Sequence, residues 1–299
     1  LMSIPESQLT TWAKQGSVTQ SADTYKTIKD VIESNNAPYA NRRPSSFLQG
    51  SYGNDTNVYG VESDVDVVLR CDSIYYYDLS DLTEPERELY KRTHSGAQYK
   101  YADFKDEVTD WLSQQFKDDA DPGTKAIRIK GRGNRREADV LPCVQFRRYL
   151  KFNGDQDATY VEGVCFFLPD GTRVTNYPKL HKQHCTSKHQ ATENCFKPMV
   201  RILKNMRNRM KADGLIGDGL APSYYLEGLL YNVPDELFGV SYERTFLQCY
   251  SYLQNADKTK LVCASRQAWL LRTGQHTSWD PGDFAAFFDA LADFWNGWN

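Results

Sequence analysis

The sequence predicts an α+β protein, with a sheet-bearing first half followed by a helical second half. Three observations carry that expectation. Short apolar stretches with period-two alternation and tight turns lie before Pro178, and stretches with apolar residues every third or fourth position dominate after it. The length of 299 residues also leaves room for two lobes, since domains commonly run about 100–200 residues. The expected division is a core over 1–178 and a helical lobe over 179–299, with a ligand cleft between them and the N-terminal helix free to pack on the second lobe.

Taken in order, Ser17–Asn35 reads as a helix, because Tyr25, Ile28, Val31 and Ile32 follow the 3.6-residue period and Asn35-Asn36-Ala37-Pro38 stops it. Ser45–Gly50 reads as a short strand. Val65–Cys71 reads as a second, with Val65, Val67 and Leu69 on one face. Glu84–Arg92 and Phe104–Phe116 look helical. Lys125–Lys130 and Glu137–Arg147 read as strands joined through the turn Gly131-Arg132-Gly133-Asn134, and Tyr160–Asn176 adds further strand-like material. Beyond Pro178, Thr192–Lys211, Pro222–Asn232, Tyr242–Asn255 and Gly282–Trp295 read mostly as helix.

Composition removes several function classes. Hydrophobic residues at 40% and charged residues at 25% exclude wholesale disorder. A net charge of −3 argues against a dedicated nucleic-acid binder. Apolar runs such as Cys165–Leu168 are far below the roughly 20 residues of a spanning helix, and Leu1–Thr10 lacks the pattern of a secretory signal. The seven cysteines are odd in number and form no C-x-x-C pair, which suits reduced thiols. The expectation is a cytoplasmic monomer with no membrane and no stable nucleic-acid partner.

The stretch richest in chemistry runs from Gly50-Ser51 to Ser63-Asp64-Val65-Asp66-Val67. Asp64 and Asp66 stand two apart on a strand and so share a face. Two carboxylates side by side repel unless solvent or a hard divalent cation such as Mg²⁺ relieves them. As exposed strand-end residues they would mean nothing, but the run continues into Val67-Val68-Leu69 and places them at the edge of buried chain. Asp139, in Glu137-Ala138-Asp139-Val140-Leu141, is a third acid on a strand that could lie alongside. Three converging carboxylates suit a two-metal site for in-line displacement. Gly50 lets the backbone approach a phosphate closely, and Ser51 adds a hydroxyl donor.

This order of motifs (G-S, then D-x-D, then a distant Asp on a strand) resembles the nucleotidyltransferase superfamily that includes DNA polymerase beta. More specifically, it is similar to the bacterial cyclic-oligonucleotide synthases related to cyclic GMP-AMP synthase, the CD-NTase family. The likeness extends to Phe196-Lys197-Pro198-Met199-Val200-Arg201-Ile202-Leu203-Lys204 and Ala221-Pro222-Ser223-Tyr224-Tyr225-Leu226-Glu227, and covers roughly residues 20–295 as an order of motifs. It implies a polymerase-beta-like core, a C-terminal helical lobe and two Mg²⁺ ions, for which Mn²⁺ can substitute. Asp64 and Asp66 would hold both ions, and Asp139 would complete the site of the ion that activates a sugar hydroxyl. The implied substrates are nucleoside triphosphates: ATP, with UTP, GTP or CTP. The implied product is a cyclic di- or trinucleotide, released with pyrophosphate and read by a separate effector protein in anti-phage signalling.

In the helical lobe, Lys197, Arg201, Lys204 and Asn208 form a stripe beside the apolar Phe196, Met199, Leu203, Met206 and Met210. Periodicity alone describes an amphipathic surface helix. The resemblance turns Lys204, and less firmly Arg201, toward a triphosphate. Ser223-Tyr224 opens a helix after Pro222, a place suited to phosphate, and the tyrosine offers a face for a base. The plain alternative is a cap and a core tyrosine. By resemblance Ser223 holds terminal phosphates and Tyr224 stacks on the base. Glu227 fits the motif without an evident chemical role. Asn176, just before Tyr177-Pro178, reads as a turn residue or as a base-selecting amide.

Two further clusters have competing readings. His181, His184, Cys185, His189 and Cys195 could supply zinc ligands, although their spacing does not match the zinc insertion of the animal relatives. Arg128, Lys130, Arg132, Arg135 and Arg136 could steer anions, or simply balance Glu137 and Asp139. The rival functions are another transferase of the superfamily, such as an RNA-tailing or antibiotic-modifying enzyme, and a catalytically silent nucleotide or RNA sensor. The intact Asp64, Asp66 and Asp139 weigh against the sensor.

Overall fold

A computed structural model describes residues 4–59, 64–239 and 241–298. Among the described residues seven strands form one sheet: β1 (Pro44–Leu48), β2 (Val65–Asp78), β3 (Ala120–Pro122), β4 (Ile127–Ile129), β5 (Ala138–Phe152), β6 (Ala158–Phe167) and β7 (Arg173–Asn176). The helices are α1 (Glu6–Ala13), α2 (Thr19–Ile32), α3 (Gly50–Gly53), α4 (Glu84–Thr93), α5 (Tyr101–Phe116), α6 (Pro178–Ala191), α7 (Phe196–Ala212), α8 (Ser223–Tyr231), α9 (Tyr242–Asn255) and α10 (Pro281–Asn296).

The described residues fall into two compact units, with one division after Pro178 as expected and further crossings earlier in the chain. One unit takes 19–49 and 64–178; the other takes 4–18, 50–59, 179–239 and 241–298. The chain therefore passes between units more than once. The reason lies in local burial. Leu9 and Ala13 of α1 sink into the helical core, and the 50–59 segment is tied to that unit by side-chain hydrogen bonds described below. The expected N-terminal helix, now α2, stays with the sheet: Ile28 and Ile32 are buried, Tyr25 donates to the Ser46 carbonyl at 3.2 Å, and Thr24 Oγ1 accepts from the Arg136 N–H at 2.8 Å.

Within the sheet unit the strand order is β1-β2-β5-β4-β3, with β6 on β5 and β7 on β6. The β2–β5 pair is parallel and the other pairs are antiparallel. β2 runs well past the expected end at Cys71. Its register on β5 shifts between Cys71 and Tyr75, and Tyr75–Asp78 then pair with Gln145–Arg148. The polar Asp72-Ser73 hides this continuation in sequence, while the tyrosine run favours it. Val65, Val67, Val68 and Leu69 are all buried, so the start of β2 is covered on both faces. α2 packs on β2, while α5 buries Phe104, Val108 and Leu112 and packs on β3, β4 and β5; Trp111 Nε1 of α5 donates to the Val31 carbonyl of α2 at 3.0 Å.

The strand-like stretch 160–176 divides into β6 and β7 around a turn in which Gly171 has φ 83°. Gly163 on β6 has no room for a side chain. A Cβ there would lie 2.8 Å from the Asn176 carbonyl and 2.9 Å from the Tyr177 ring. Gly163→Ala is expected to cost about 1–3 kcal/mol, read as a lower denaturation midpoint. An unchanged midpoint would show that β7 yields without strain.

In the helical unit, α7 buries the expected stripe of Phe196, Met199, Leu203, Met206 and Met210, together with Val200, Ile202, Lys197 and Lys204. α6 was not legible as a helix. Its buried residues are His181 and Cys185, four apart, so its inward face carries no aliphatic signal. α8 follows Pro222. α10 is capped by Asp280, which accepts from the Gly282 N–H at 2.8 Å. Trp279 and Phe287 are among the largest side chains of the helical core.

Candidate active site

In the sheet unit, the parallel register sets Asp66 of β2 directly beside Asp139 of β5, and Val65 beside Ala138. Asp64 precedes β2 by one residue and lies two from Asp66. Glu137 stands in the same relation to Asp139 on the neighbouring strand, so the two x-Asp strand starts repeat one spacing. Arg128 on β4 is the register partner of Asp139, and its guanidinium pairs with Glu137 at 2.5 Å. Burial pushes the Asp64 carboxyl above the usual aspartate range, and Glu137 and Asp139 push it further while Arg128 offsets part. Asp139 is likewise raised, by burial first and then by Glu137. Crowded carboxylates whose ionised forms are disfavoured are the donor set that a hard divalent cation relieves, so these residues fit Mg²⁺. Glu137, read from sequence as charge balance for the basic hairpin, joins this group. The repeat of the i, i+2 acidic spacing was the signal for it.

The remaining hairpin charges have local partners. Arg135 and Arg132 reach Asp119 at 2.8 and 3.6 Å, and Lys130 Nζ donates to the Asp118 carbonyl at 2.9 Å. Such partly solvated pairs contribute little to stability, on the order of 0–1 kcal/mol each. They tie the hairpin turn to the 118–119 segment that precedes β3.

In the helical unit, α3 opens at Gly50, whose φ of 63° suits glycine. Lys204 is 2% exposed; its Nζ donates to Ser51 Oγ at 2.7 Å and to the Thr56 carbonyl at 2.8 Å. Lys197 pairs with Asp55 at 2.7 Å. Arg201 donates through Nε to the Ala13 carbonyl and through Nη1 to the Asp55 carbonyl, and so ties α1 and the 50–57 segment to α7. Ser223, at the start of α8, accepts from Arg207 Nη1 at 3.3 Å, and the same nitrogen donates to the Ala221 carbonyl at 2.7 Å. Arg207 was not singled out in the sequence, although it follows Lys204 by three residues on α7 and shares its face. Tyr224 stacks one face on His181, with centroids 4.8 Å apart.

Glu227, for which the sequence offered no chemical role, has buried partners. Its carboxylate, 2% exposed, accepts from Asn54 Nδ2 at 2.8 Å and Thr56 Oγ1 at 2.5 Å, and lies 2.6 Å from His181 Nε2. Burial alone would push this carboxyl up. The His181 contact and charge, Lys204 and Thr56 together outweigh it and hold it below the ordinary glutamate value. The zinc reading, with four ligands drawn from those five residues, is not assembled among the described residues. His184 Nδ1 contacts the Ala264 carbonyl at 2.7 Å and His189 Nδ1 accepts from the Lys197 N–H at 3.3 Å. Among the described residues, the cluster with three potential ligand atoms within 4.8 Å of one another is His181, Cys185 and Glu227.

Residues 183–296 match the family model of the cGAS/DncV-like nucleotidyltransferase C-terminal helical domain. The cyclic UMP-AMP synthase of Rhodothermus marinus (strain SG0.5JP17-172) is 35% identical over 99% of both chains. The chain belongs to the CD-NTase family. The cyclic nucleotide synthase CdnE01 of Staphylococcus haemolyticus is 32% identical to this CD-NTase, over 99% of this chain and 100% of the relative. Among solved structures, the Rhodothermus marinus CdnE c-UMP-AMP synthase with Apcpp and Upnpp superposes with a TM-score of 0.88 at 33% identity, covering 99% of this chain and 98% of that one. The Elizabethkingia meningoseptica CdnE cyclic dinucleotide synthase with GTP and Apcpp gives 0.76 at 27% identity, over 98% of both. The expected family, the α+β fold and the expected activity class agree: the relatives are nucleotidyltransferases that make cyclic nucleotides, and so is this CD-NTase. No described helix is long and apolar enough to cross a membrane.

Proposed function

We propose that this CD-NTase joins ATP and a pyrimidine nucleoside triphosphate, UTP first, into a cyclic dinucleotide with release of pyrophosphate. The observation that carries the chemistry is the in-register pair Asp66–Asp139 with Asp64 two residues away, a carboxylate set at the starts of two parallel strands. The base choice rests on the likeness to a named cyclic UMP-AMP synthase over nearly the whole chain.

Asp64, Asp66 and Asp139 are the residues that would hold two Mg²⁺ ions, with Mn²⁺ as a substitute. Bound there, the metal supplies neutralisation of phosphate charge and a lowered pKa for the attacking sugar hydroxyl. The chain's own residues do the rest. Gly50 and Ser51 let backbone and hydroxyl donors approach phosphate oxygens, and Lys204, already on Ser51 Oγ, brings a buried positive charge to them. Ser223 with Arg207 offers a second set of donors for terminal phosphates. Tyr224, backed by His181, presents its other face to a base. Arg201 contributes by bracing the 50–57 segment through the Asp55 carbonyl. Catalysis on this reading is positioning and charge neutralisation, with little covalent work for the protein.

Asn176 is the residue we assign to base selection. Its Oδ1 accepts from the Tyr177 N–H at 2.8 Å, which leaves the amide NH₂ as donor for a carbonyl oxygen such as those of uracil. Incubating the protein with all four ribonucleoside triphosphates and Mg²⁺, then identifying phosphatase-resistant products by mass spectrometry, tests the whole reading. The expected product is a cyclic dinucleotide containing adenine and uracil. A linear or tailed product, or none, would replace it with one of the rival transferases or with a sensor. Asn176→Ser is expected to shift the product away from pyrimidines; an unaltered profile removes the assignment. The biological role we propose is that of anti-phage signalling, in which the product activates a separate effector.

A further inference from the structure

One buried, multiply bonded carboxylate in the helical unit is not used by the proposed chemistry. Glu227 lies on α8, 2% exposed, and its two oxygens take bonds from Asn54, Thr56 and His181. Asn54 and Thr56 stand just past α3, on the same short segment as Ser51. The Thr56 carbonyl and Ser51 Oγ are the two acceptors for Lys204 Nζ, at 2.8 and 2.7 Å. Thr56 thus links the two: its hydroxyl is held by Glu227 and its carbonyl by Lys204. Asn54, Thr56, Lys204 and Glu227 are each under 8% exposed, at 7%, 0%, 2% and 2%.

A metal does not explain the cluster better. Two atoms on one tetrahedral zinc at its usual bond lengths stand about 3.3 Å apart. His181 Nε2 and Glu227 Oε2 are 2.6 Å apart, the distance of a direct charge-assisted hydrogen bond. The carboxylate is also already occupied by Thr56 and Asn54.

We propose that Glu227 is a positioning residue: anchored by His181, it clamps Asn54 and Thr56 and thereby sets Ser51 and Lys204 in place for the triphosphate. The inference rests on the reading above that Ser51 and Lys204 bind phosphate. It goes further in saying that the geometry of that phosphate site is imposed from α8 by a side chain that touches no substrate. Buried charge-assisted networks are suited to this, because each bond to an ionised group is short and directional and a partly satisfied arrangement is costly. His181 adds a second consequence. Its ring backs Tyr224, so the carboxylate that fixes the phosphate turn also fixes the imidazole on which the base-stacking tyrosine leans.

The test measures the affinity of the full-length protein for a non-hydrolysable ATP analogue with Mg²⁺, by titration calorimetry, together with the melting midpoint of each variant. Ser51→Ala is expected to weaken binding. Glu227→Gln, which keeps the shape but mispairs one amide with Asn54, Thr56 or His181, is expected to weaken it about tenfold. The double variant is expected to bind no more than about twofold worse than the weaker single one, because both substitutions disable the same turn. Effects that multiply, or wild-type affinity in a folded Glu227→Gln protein, would overturn the inference. If Glu227→Gln does not fold, Thr56→Val decides: it removes one bond to Glu227 and keeps the carbonyl, and about a threefold loss is expected against none. If Ser51→Ala and Lys204→Met both leave affinity unchanged, the phosphate reading itself has failed and takes this inference with it, a result distinguishable from failure at Glu227 alone.

Discussion

Asparagine in place of Asp64 is expected to reduce product formation by about 10³-fold or more while making the metal-free protein harder to melt. The two effects share one cause. Asp64 is raised by burial and by Glu137 and Asp139, so its ionised form is disfavoured in the fold. Asp139 is raised in the same way, by burial and then Glu137. A carboxyl whose folded pKa lies above its unfolded value contributes stability that is fully present below the unfolded value, near 4, and is lost as pH rises through the folded value. At neutral pH, without metal, that contribution is gone and the like charges remain. The amide removes one of them and keeps the shape. Melting curves from about pH 4 to pH 7 are therefore expected to show a falling contribution from these acids in the metal-free wild type. At neutral pH Mg²⁺ should raise the wild-type midpoint and leave Asp64→Asn nearly unmoved. A wild-type midpoint indifferent to Mg²⁺, or an asparagine variant less stable than wild type, would contradict the metal assignment.

Lys204→Met is expected to give the second largest loss, with kcat/KM reduced about 10²-fold and stability lowered by about 3 kcal/mol. The methionine fills much the same volume. It cannot donate to Ser51 Oγ or to the Thr56 carbonyl, and it leaves Glu227 buried without that nearby positive charge. The loss in stability separates this site from the aspartates, whose neutralisation is expected to stabilise. Denaturant titration alongside turnover distinguishes the two cases. A Lys204→Met protein as stable as wild type would mean that the bonds from Asn54, Thr56 and His181 suffice to hold Glu227 in place.

What could be read from the chain follows from where its signals are local. The three aspartates proposed to hold metal were legible because strand alternation puts Asp64 and Asp66 on one face by itself, and because Asp139 opens a second apolar run. The pairing of Asp66 with Asp139 was not fixed until the register was seen. α7 was legible because its inward face is Phe, Met and Leu at helical spacing; α6 was not, because its inward face is His181 and Cys185. The stripe of Lys197, Arg201 and Lys204 was found, but sequence could not tell that Lys204 meets Ser51 while Arg201 goes to backbone carbonyls. Glu227 stayed mute for the same reason: its partners Asn54 and Thr56 lie far away in the chain, on a segment that looks like an ordinary polar loop. The division after Pro178 recurs in the two units, while the return of 4–18 and 50–59 to the helical unit was not legible, because short segments there are claimed by tertiary bonds.

The parallel ladder between β2 and β5 also says where this protein tolerates being rebuilt. Side chains alternate along each strand, so slipping either one by a single residue would send a carboxylate to the opposite side of the sheet. The span between the two strands, which holds α4, α5, β3 and β4, has no such constraint on its connecting turns. Those turns are where a reporter peptide or a shortened linker could be grafted with the two acids left in register.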